Sequence, residues 1–162
     1  MSSNITLASL PYITRETLAA KLKQTTSTST STSLAIIDVR DSDHVGGHIK
    51  GSTWVPSSTL EYKAPELVRT LKDKDVVVFH CALSQQRGPG AALRYLREKE
   101  RLDGEKVTEE KKEEGEEREG EKEEGGQRVY VLKGGFTEWQ EKYGEDGQLT
   151  EGYEKDIWEF GS

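Results

Sequence analysis

The chain has 162 residues with a formal net charge of −7, and 33% of its residues are charged while 32% are hydrophobic. No stretch approaches the roughly 18 apolar residues of a membrane span, no basic stripe is present, and the first residues lack a signal-peptide pattern, so we expect no membrane or nucleic-acid partner. The single cysteine excludes an internal disulfide and favours a reducing compartment, which predicts a cytoplasmic or nuclear protein.

The predicted secondary structure alternates between helices and strands. A helix capped by Thr14 ends near residue 24, and the Ser/Thr-only segment 25–33 predicts a solvated loop. Short apolar runs predict strands at 34–37, 53–56, 76–79 and 129–132. Helices are predicted at 65–72, at 88–100 and after the Gly134–Gly135 turn. This alternation is typical of an α/β domain with a mostly parallel sheet.

The negative charge is concentrated in one segment, residues 103–126, which has 12 acidic and 5 basic side chains while the rest of the chain is neutral. Because this segment has almost no apolar residue to bury, we predict a disordered or loosely helical surface insertion. A solvated spacer is the simpler interpretation, and a site for a basic partner is the alternative.

The predicted organisation has three parts. Residues 1–33 form an N-terminal helix and loop that belong to the domain, and residues 34–147 form the catalytic domain with the acidic insertion at about 103–127. Residues 148–162 form a C-terminal tail that includes Ile157, Trp158 and Phe160, and both a docking helix and a partner motif are compatible with it.

The only cysteine, Cys81, follows the predicted strand 76–79 and His80, and it precedes Arg87 by six positions. A thiolate is the nucleophilic form of cysteine, and the start of the following helix, the loop N–H groups and a guanidinium would all stabilise it. Cys81 is therefore the predicted nucleophile, and Arg87 the predicted bidentate ligand of an oxyanion. An inert buried thiol is the alternative. A metal site is not predicted, because no second thiol is present.

Other residues are predicted to shape or support this site. The backbone N–H groups of the loop are expected to converge on the oxyanion, and Ser84 is placed to donate to the sulfur or to a leaving group. His80 is expected to hydrogen-bond backbone and support the loop, and Asp38 to form a structural ion pair with Arg40. His48 is expected to stabilise its own loop, and the tryptophans to pack in the core or against helices. The predicted substrate-binding residues are Ala82, Leu83, Ser84, Gln85, Gln86 and Arg87.

Residues 80–89, which read His-Cys-Ala-Leu-Ser-Gln-Gln-Arg-Gly-Pro, resemble the active-site loop of the rhodanese-fold family of cell-cycle-type dual-specificity phosphatases and eukaryotic arsenate reductases. Segments 36–52 and 131–139 are similar to the two flanking rhodanese motifs. The resemblance implies a rhodanese-like three-layer α/β/α fold and a covalent Cys81 adduct with phosphate or arsenate. Sulfurtransferases of this fold have a loop one residue shorter, so sulfur transfer is the less favoured alternative.

Two departures from the family pattern bear on the chemistry. The cell-cycle phosphatases have a glutamate, a candidate proton donor, where this chain has Gln86, and an amide cannot supply that proton. They also have a second cysteine, whereas the lone Cys81 fits an arsenate reductase that uses external glutathione or glutaredoxin and has no bound cofactor. A phosphatase, including one that acts on a phosphoprotein, and an arsenate reductase remain alternatives, and a catalytically idle phospho-binding module is a third.

Overall fold

The computed structural model describes residues 6–27, 34–110 and 127–160. The predictions for residues 28–33 and 111–126 lie outside this part of the chain. The strands are β1 (Tyr12–Ile13), β2 (Leu34–Asp38), β3 (His48–Ile49), β4 (Thr53–Trp54), β5 (Val76–His80), β6 (Arg128–Leu132) and β7 (Thr150–Glu151). The α-helices are α1 (Arg15–Ser27), α2 (Leu60–Thr70), α3 (Arg87–Glu110), α4 (Gly135–Tyr143) and α5 (Lys155–Phe160).

Five strands form one parallel sheet in the order β1-β6-β5-β2-β4. The central strand β5 is buried along its whole length, because helices cover both faces of the sheet. Alternate side chains of β5 enter different cores: Val77 and Phe79 lie in one, and Val76 and Val78 in the other. The predicted three-layer α/β/α architecture with a mostly parallel sheet is confirmed.

Two hydrophobic cores hold the helices on the sheet. The first joins the sheet to α2 and α3, with buried side chains that include Leu67, Val68, Ala91, Ala92 and Tyr95. The second joins it to α1 and α4, with buried side chains that include Leu18, Leu22, Leu132, Phe136 and Trp139. At about 25 cal/mol for each Å² of apolar surface removed from water, these two cores supply the main favourable term in folding. Among the described residues, no helix is both long and apolar enough to cross a bilayer.

Several predicted boundaries were wrong. Helix α2 begins at Leu60, five residues before the predicted start at Pro65, which lies inside the helix. Burial of Leu60 and Ala64 outweighs the preference of proline for a helix start. Helix α3 continues to Glu110, ten residues past its predicted end, because the Glu, Lys and Arg residues of this segment are good helix formers.

The part of the chain after α4 packs back onto the domain. Leu149 is fully buried, and β7 pairs antiparallel with β3, where His48 lies 3.0 Å from Glu151. Trp158 packs on Phe136, with 5.6 Å between ring centroids, and donates its indole N–H to the carbonyl of Gly46. These contacts place α5 against the loop that precedes β3.

The tryptophans differ in their packing. Trp139 is fully buried and donates its N–H to the hydroxyl of Thr150 at 2.9 Å. Trp54 was predicted to be packed in the same way, but it is 50% exposed, so that prediction was wrong. It lies on the edge strand β4, stacks on His44 at 4.3 Å and donates to the carbonyl of Arg40, and these contacts leave one ring face to solvent.

Candidate active site

Cys81 lies at the carboxyl end of the central strand β5, and α3 begins six residues later at Arg87. Ligands of open α/β sheets bind at this edge, where loops leave the strands and helix N-termini begin. The first N–H groups of α3 have no partner within the helix, so they direct partial positive charge toward the loop of residues 81–87. The fold thus places the predicted nucleophile at a site that attracts anions.

Ser84 brings a hydrogen-bond donor to the sulfur of Cys81. Its φ of +58° is in the left-handed region, which turns its backbone N–H onto Sγ at 3.1 Å. Its hydroxyl oxygen accepts a long hydrogen bond of 3.4 Å from the Cys81 N–H. This hydrogen bond holds the sulfur inside the loop of residues 81–87. Ser84 was predicted to donate to the sulfur or to a leaving group, and its donor to the sulfur is the main-chain N–H, which depends on a backbone angle that is rare outside glycine.

The start of α4 holds the other side of the loop. The N–H groups of Phe136 and Thr137 donate to the carbonyls of Cys81 and Ala82 at 3.0 and 2.9 Å. Gly135 makes this close approach possible, because its φ is +62° and a Cβ there would lie 2.5 Å from the Cys81 carbonyl oxygen. The Gly134–Gly135 turn therefore helps to set the position of Cys81.

We expect Gly135→Ala to destabilise the protein by about 2 kcal/mol or more, because the new methyl group clashes with main-chain atoms and the φ is strained for alanine. The activity should fall by more than this loss of stability accounts for, since the carbonyls that Gly135 contacts belong to the loop of residues 81–87. Chemical denaturation and initial rates at a temperature where the variant is folded measure the two effects.

Gly90→Ala is the matched control, because Gly90 lies in α3 and a Cβ there meets nothing within 4 Å. Alanine should stabilise the helix at this position by about 0.5–1 kcal/mol and leave activity unchanged. Equal stability of Gly135→Ala and the wild type would contradict the close packing of α4 on the loop.

A buried ion pair lies behind the loop. Asp38 and Arg40 are both fully buried, and Arg40 Nη2 and Nε lie 2.6 and 3.0 Å from the Asp38 carboxylate. The guanidinium also donates to the carbonyl of Gly47 at 2.9 Å and lies over the Phe136 ring. Burial raises the pKa of Asp38, but the hydrogen bonds and the charge of Arg40 hold it below its ordinary value. The predicted Asp38–Arg40 ion pair is present, and it ties β2 to the loop before β3.

His80 occupies the space between this ion pair and the loop. It is fully buried, and Nδ1 lies 3.1 Å from the Cys81 carbonyl oxygen. Nε2 has no hydrogen-bond partner among the described residues and lies 3.9 Å from Asp38. Burial lowers the pKa of His80 and outweighs the opposing effect of Asp38, which favours a neutral ring that donates Nδ1–H to the Cys81 carbonyl. The ring thus contacts the main chain of Cys81.

Arg87 has carboxylate partners that the sequence analysis did not include among the site residues. Its Nη1 and Nη2 lie 2.8 and 2.7 Å from the two carboxylate oxygens of Asp43, and Nη1 is 3.4 Å from Asp41. These hydrogen bonds lower the pKa of Asp43 to about 2, and they raise the pKa of Arg87. Asp43 and Asp41 lie 44 and 46 positions before Arg87, and no spacing rule links residues so far apart. The only signal in the sequence was a pair of carboxylates shortly after Asp38-Val39-Arg40.

The remaining loop residues form the outer surface of the site. Leu83 is 50% exposed, and Gln85 and Gln86 are also exposed. The carbonyl of Gln86 accepts the N–H of Gly90, which extends the first turn of α3. Within the described residues, no group of three or more His, Cys, Asp or Glu side chains is arranged to hold a metal ion.

A parallel sheet with a cysteine loop between the central strand and a helix matches a known family. The family model for the rhodanese-like domain matches residues 15–142, so the chain belongs to the rhodanese-like family. The chain is 32% identical to the CDC25-like phosphatase YCH1 of Saccharomyces cerevisiae, over 94% of this chain and 96% of that protein. The predicted resemblance to cell-cycle-type phosphatases and arsenate reductases of this fold is confirmed.

Two further comparisons point to arsenic chemistry in related proteins. Arsenate reductase 2.1 of Oryza sativa is 47% identical over 77 residues, which are 45% of this chain and 48% of that protein. The structure of the As–Sb reductase of Leishmania major has a TM-score of 0.63 and 30% identity, and it covers 85% of this chain and 81% of that one. The chain is thus similar both to a phosphatase and to reductases of arsenic oxyanions.

Proposed function

We propose that this protein is a cysteine-thiolate enzyme that acts on a tetrahedral oxyanion through a covalent adduct at Cys81. The observation that carries the proposal is the hydrogen bond of 3.1 Å from the Ser84 N–H to Sγ, at a strand end that faces the N-terminus of α3. This arrangement presents N–H donors to the sulfur and to the anion that it attacks. Similarity to a phosphatase and to arsenate reductases supports the same substrate class.

Arsenate reduction requires only Cys81 and external thiols. Attack of the sulfur on arsenate forms a sulfur–arsenic bond and releases one oxygen as water. Glutathione then attacks Sγ, the electron pair of the sulfur–arsenic bond goes to arsenic, and arsenite leaves with a proton from the thiol. A second glutathione, or glutaredoxin, reduces the Cys81–glutathione disulfide. The sum is arsenate and two thiols to arsenite, one disulfide and water, and no second protein cysteine is needed.

Phosphatase action begins with the same attack. The sulfur displaces the alcohol from a phosphate monoester, and water then hydrolyses the phosphocysteine. An alkyl alcohol leaves well only when it receives a proton, and the exposed amide of Gln86 cannot provide one. The chain is therefore expected to hydrolyse aryl phosphates, whose leaving groups need no proton, faster than alkyl phosphates.

The proposed activity is tested with the reduced wild type by two assays: hydrolysis of p-nitrophenyl phosphate with dithiothreitol, and arsenite formation from arsenate with glutathione and glutaredoxin. Turnover in either assay supports the proposal, and the ratio of the two shows which substrate the site prefers. A folded, reduced protein that is inactive in both assays contradicts it, and sulfur transfer would then become the reaction to test.

We expect Gln86→Glu to raise the rate on an alkyl phosphate on the order of tenfold, a fraction of the about 10²–10⁴-fold that a well-placed general acid contributes. The rate on p-nitrophenyl phosphate should change little. Gln85→Glu is the matched control, because it adds the same charge at the neighbouring exposed position. An unchanged alkyl-to-aryl rate ratio in Gln86→Glu would show that the missing proton donor does not limit the reaction.

A further inference from the structure

The guanidinium of Arg87 already holds an internal anion. Asp43 places its two oxygens 2.8 and 2.7 Å from the two terminal nitrogens of Arg87, which is the parallel two-bond geometry in which arginine binds carboxylates and phosphates. An oxyanion that binds this end of the guanidinium would need these same two N–H donors, so Asp43 and such a substrate are alternative partners of Arg87.

Asp43 is held in place for this contact by its own turn. Its Oδ1 accepts the N–H of Asp41 at 2.8 Å. The Asp41 carboxylate in turn accepts the hydroxyl of Ser57 at 2.5 Å and the N–H of Ser58 at 3.0 Å, at the start of the segment that leads into α2. A carboxylate fixed in this way loses little side-chain entropy when it binds Arg87, so it competes well with a free anion.

We propose that Asp43 is an affinity-determining residue that occupies the anion-binding edge of Arg87 in the resting protein and must be displaced by the incoming oxyanion. This inference rests on the proposed function, and it adds that the resting affinity for oxyanions is set below what Arg87 alone would give. The contact does not open on mild acidification, because Arg87 lowers the pKa of Asp43 to about 2 and the carboxylate stays charged far below neutral pH. Displacement by an anion, and not protonation, frees Arg87.

The test is titration of inorganic phosphate into reduced wild type and Asp43→Asn by isothermal calorimetry, at pH 7 and low ionic strength, where a partly exposed ion pair is least screened. The side chains of Arg87 and Asp43 are 34% and 40% exposed, so we expect Asp43→Asn to lower Kd about two- to fivefold, the range measured for exposed ion pairs. Thermal melting verifies that the variant is folded.

A double-mutant cycle separates competition for Arg87 from general removal of negative charge. In an Arg87→Lys background the two parallel hydrogen bonds cannot form, because an ammonium group lacks the paired donors of a guanidinium. Asp43→Asn should then change the Kd for phosphate by much less. The proposal is supported if Asp43→Asn raises the affinity for phosphate clearly in the wild-type background and much less in the Arg87→Lys background.

The other outcomes overturn it in distinguishable ways. Equal gains in both backgrounds would mean that Asp43 acts only as a nearby charge. An unchanged Kd in Asp43→Asn would show that Asp43 does not compete with the anion, while phosphate binding would still support the proposed oxyanion site. Phosphate that binds to none of the folded proteins would contradict the proposed function itself, and Asp43 would then have no anion to compete with.

Discussion

Replacing Cys81 with serine is expected to lower turnover by about 10³-fold or more in both the aryl phosphatase and the arsenate reductase assay. Both reactions begin with the same sulfur, and a serine hydroxyl at this position has no general base to activate it. The His80 ring contacts the Cys81 carbonyl, and the described contacts place no other imidazole beside Sγ. Initial rates of wild type and variant, with reductant present, measure the effect.

Oxyanion binding should survive the same substitution. The Ser84 N–H, the start of α3 and Arg87 are unchanged in Cys81→Ser, so the Kd for inorganic phosphate should stay within about threefold of the wild-type value. A change of one buried sulfur to oxygen should leave the free energy of unfolding within about 1 kcal/mol. Substantial turnover by Cys81→Ser would exclude the covalent mechanism, while loss of both turnover and binding would show that the cysteine shapes the loop.

Replacing Arg40 with methionine is expected to lower the free energy of unfolding by about 3–5 kcal/mol, because it leaves the buried Asp38 carboxylate without its partner. The substitution also removes the donor to the Gly47 carbonyl, which fixes the loop between β2 and β3. Urea denaturation at pH 7 measures the loss, and the expected cost is a large fraction of the stability of an ordinary domain.

Arg101→Met is the matched control, since the Arg101 side chain is 56% exposed where it pairs with Glu98 on α3, and an ion pair of an exposed arginine is worth about 1 kcal/mol or less. Asp38→Asn should recover part of the loss when it is combined with Arg40→Met, because the unpaired charge is then gone. A cost below about 1 kcal/mol for Arg40→Met, or no recovery in the double variant, would show that the pair is not what stabilises this region.

The cost of losing Arg40 should depend on pH in a defined direction. The pKa of Asp38 is lowered in the folded protein from the ordinary value of 3.8, so the pair contributes its full stability above that pH. The contribution is lost as the pH falls from 3.8 toward the lower pKa of the folded state. The stability that the pair contributes to the wild type should therefore be constant near neutral pH and should shrink only in acid.

The sequence by itself determined the central features of the protein. The four apolar residues before His80 and Cys81 predicted a buried parallel strand, and β5 is that strand. The spacing from Cys81 to Arg87 predicted a loop that leads into a helix, and α3 begins at Arg87. These features are local: a continuous apolar run and a helix start are encoded by neighbouring residues, so no distant contact is needed to recognise them.

Secondary structure with weak local signals was only partly predictable. The strands β1, β3 and β7 have two residues each, too few to show a period, and they exist because a neighbouring strand offers hydrogen bonds. The end of α3 was placed too early, because the segment past residue 100 has strong helix formers but little apolar surface. Packing decided the start of α2 in the same way, at Leu60 and not at Pro65.

Only the tertiary structure decided how the candidate site is held and occupied. Gly135 meets the carbonyls of Cys81 and Ala82 across more than fifty positions, and Asp43 reaches Arg87 across 44. The hydrogen bond from Ser84 to the sulfur depends on a backbone angle that its residue type does not favour. The candidate site residues could be identified from one segment of sequence, residues 80–89. The contacts that position them join three segments, around Asp43, residues 81–87 and Gly135, and only folding brings those segments to the same edge of the sheet.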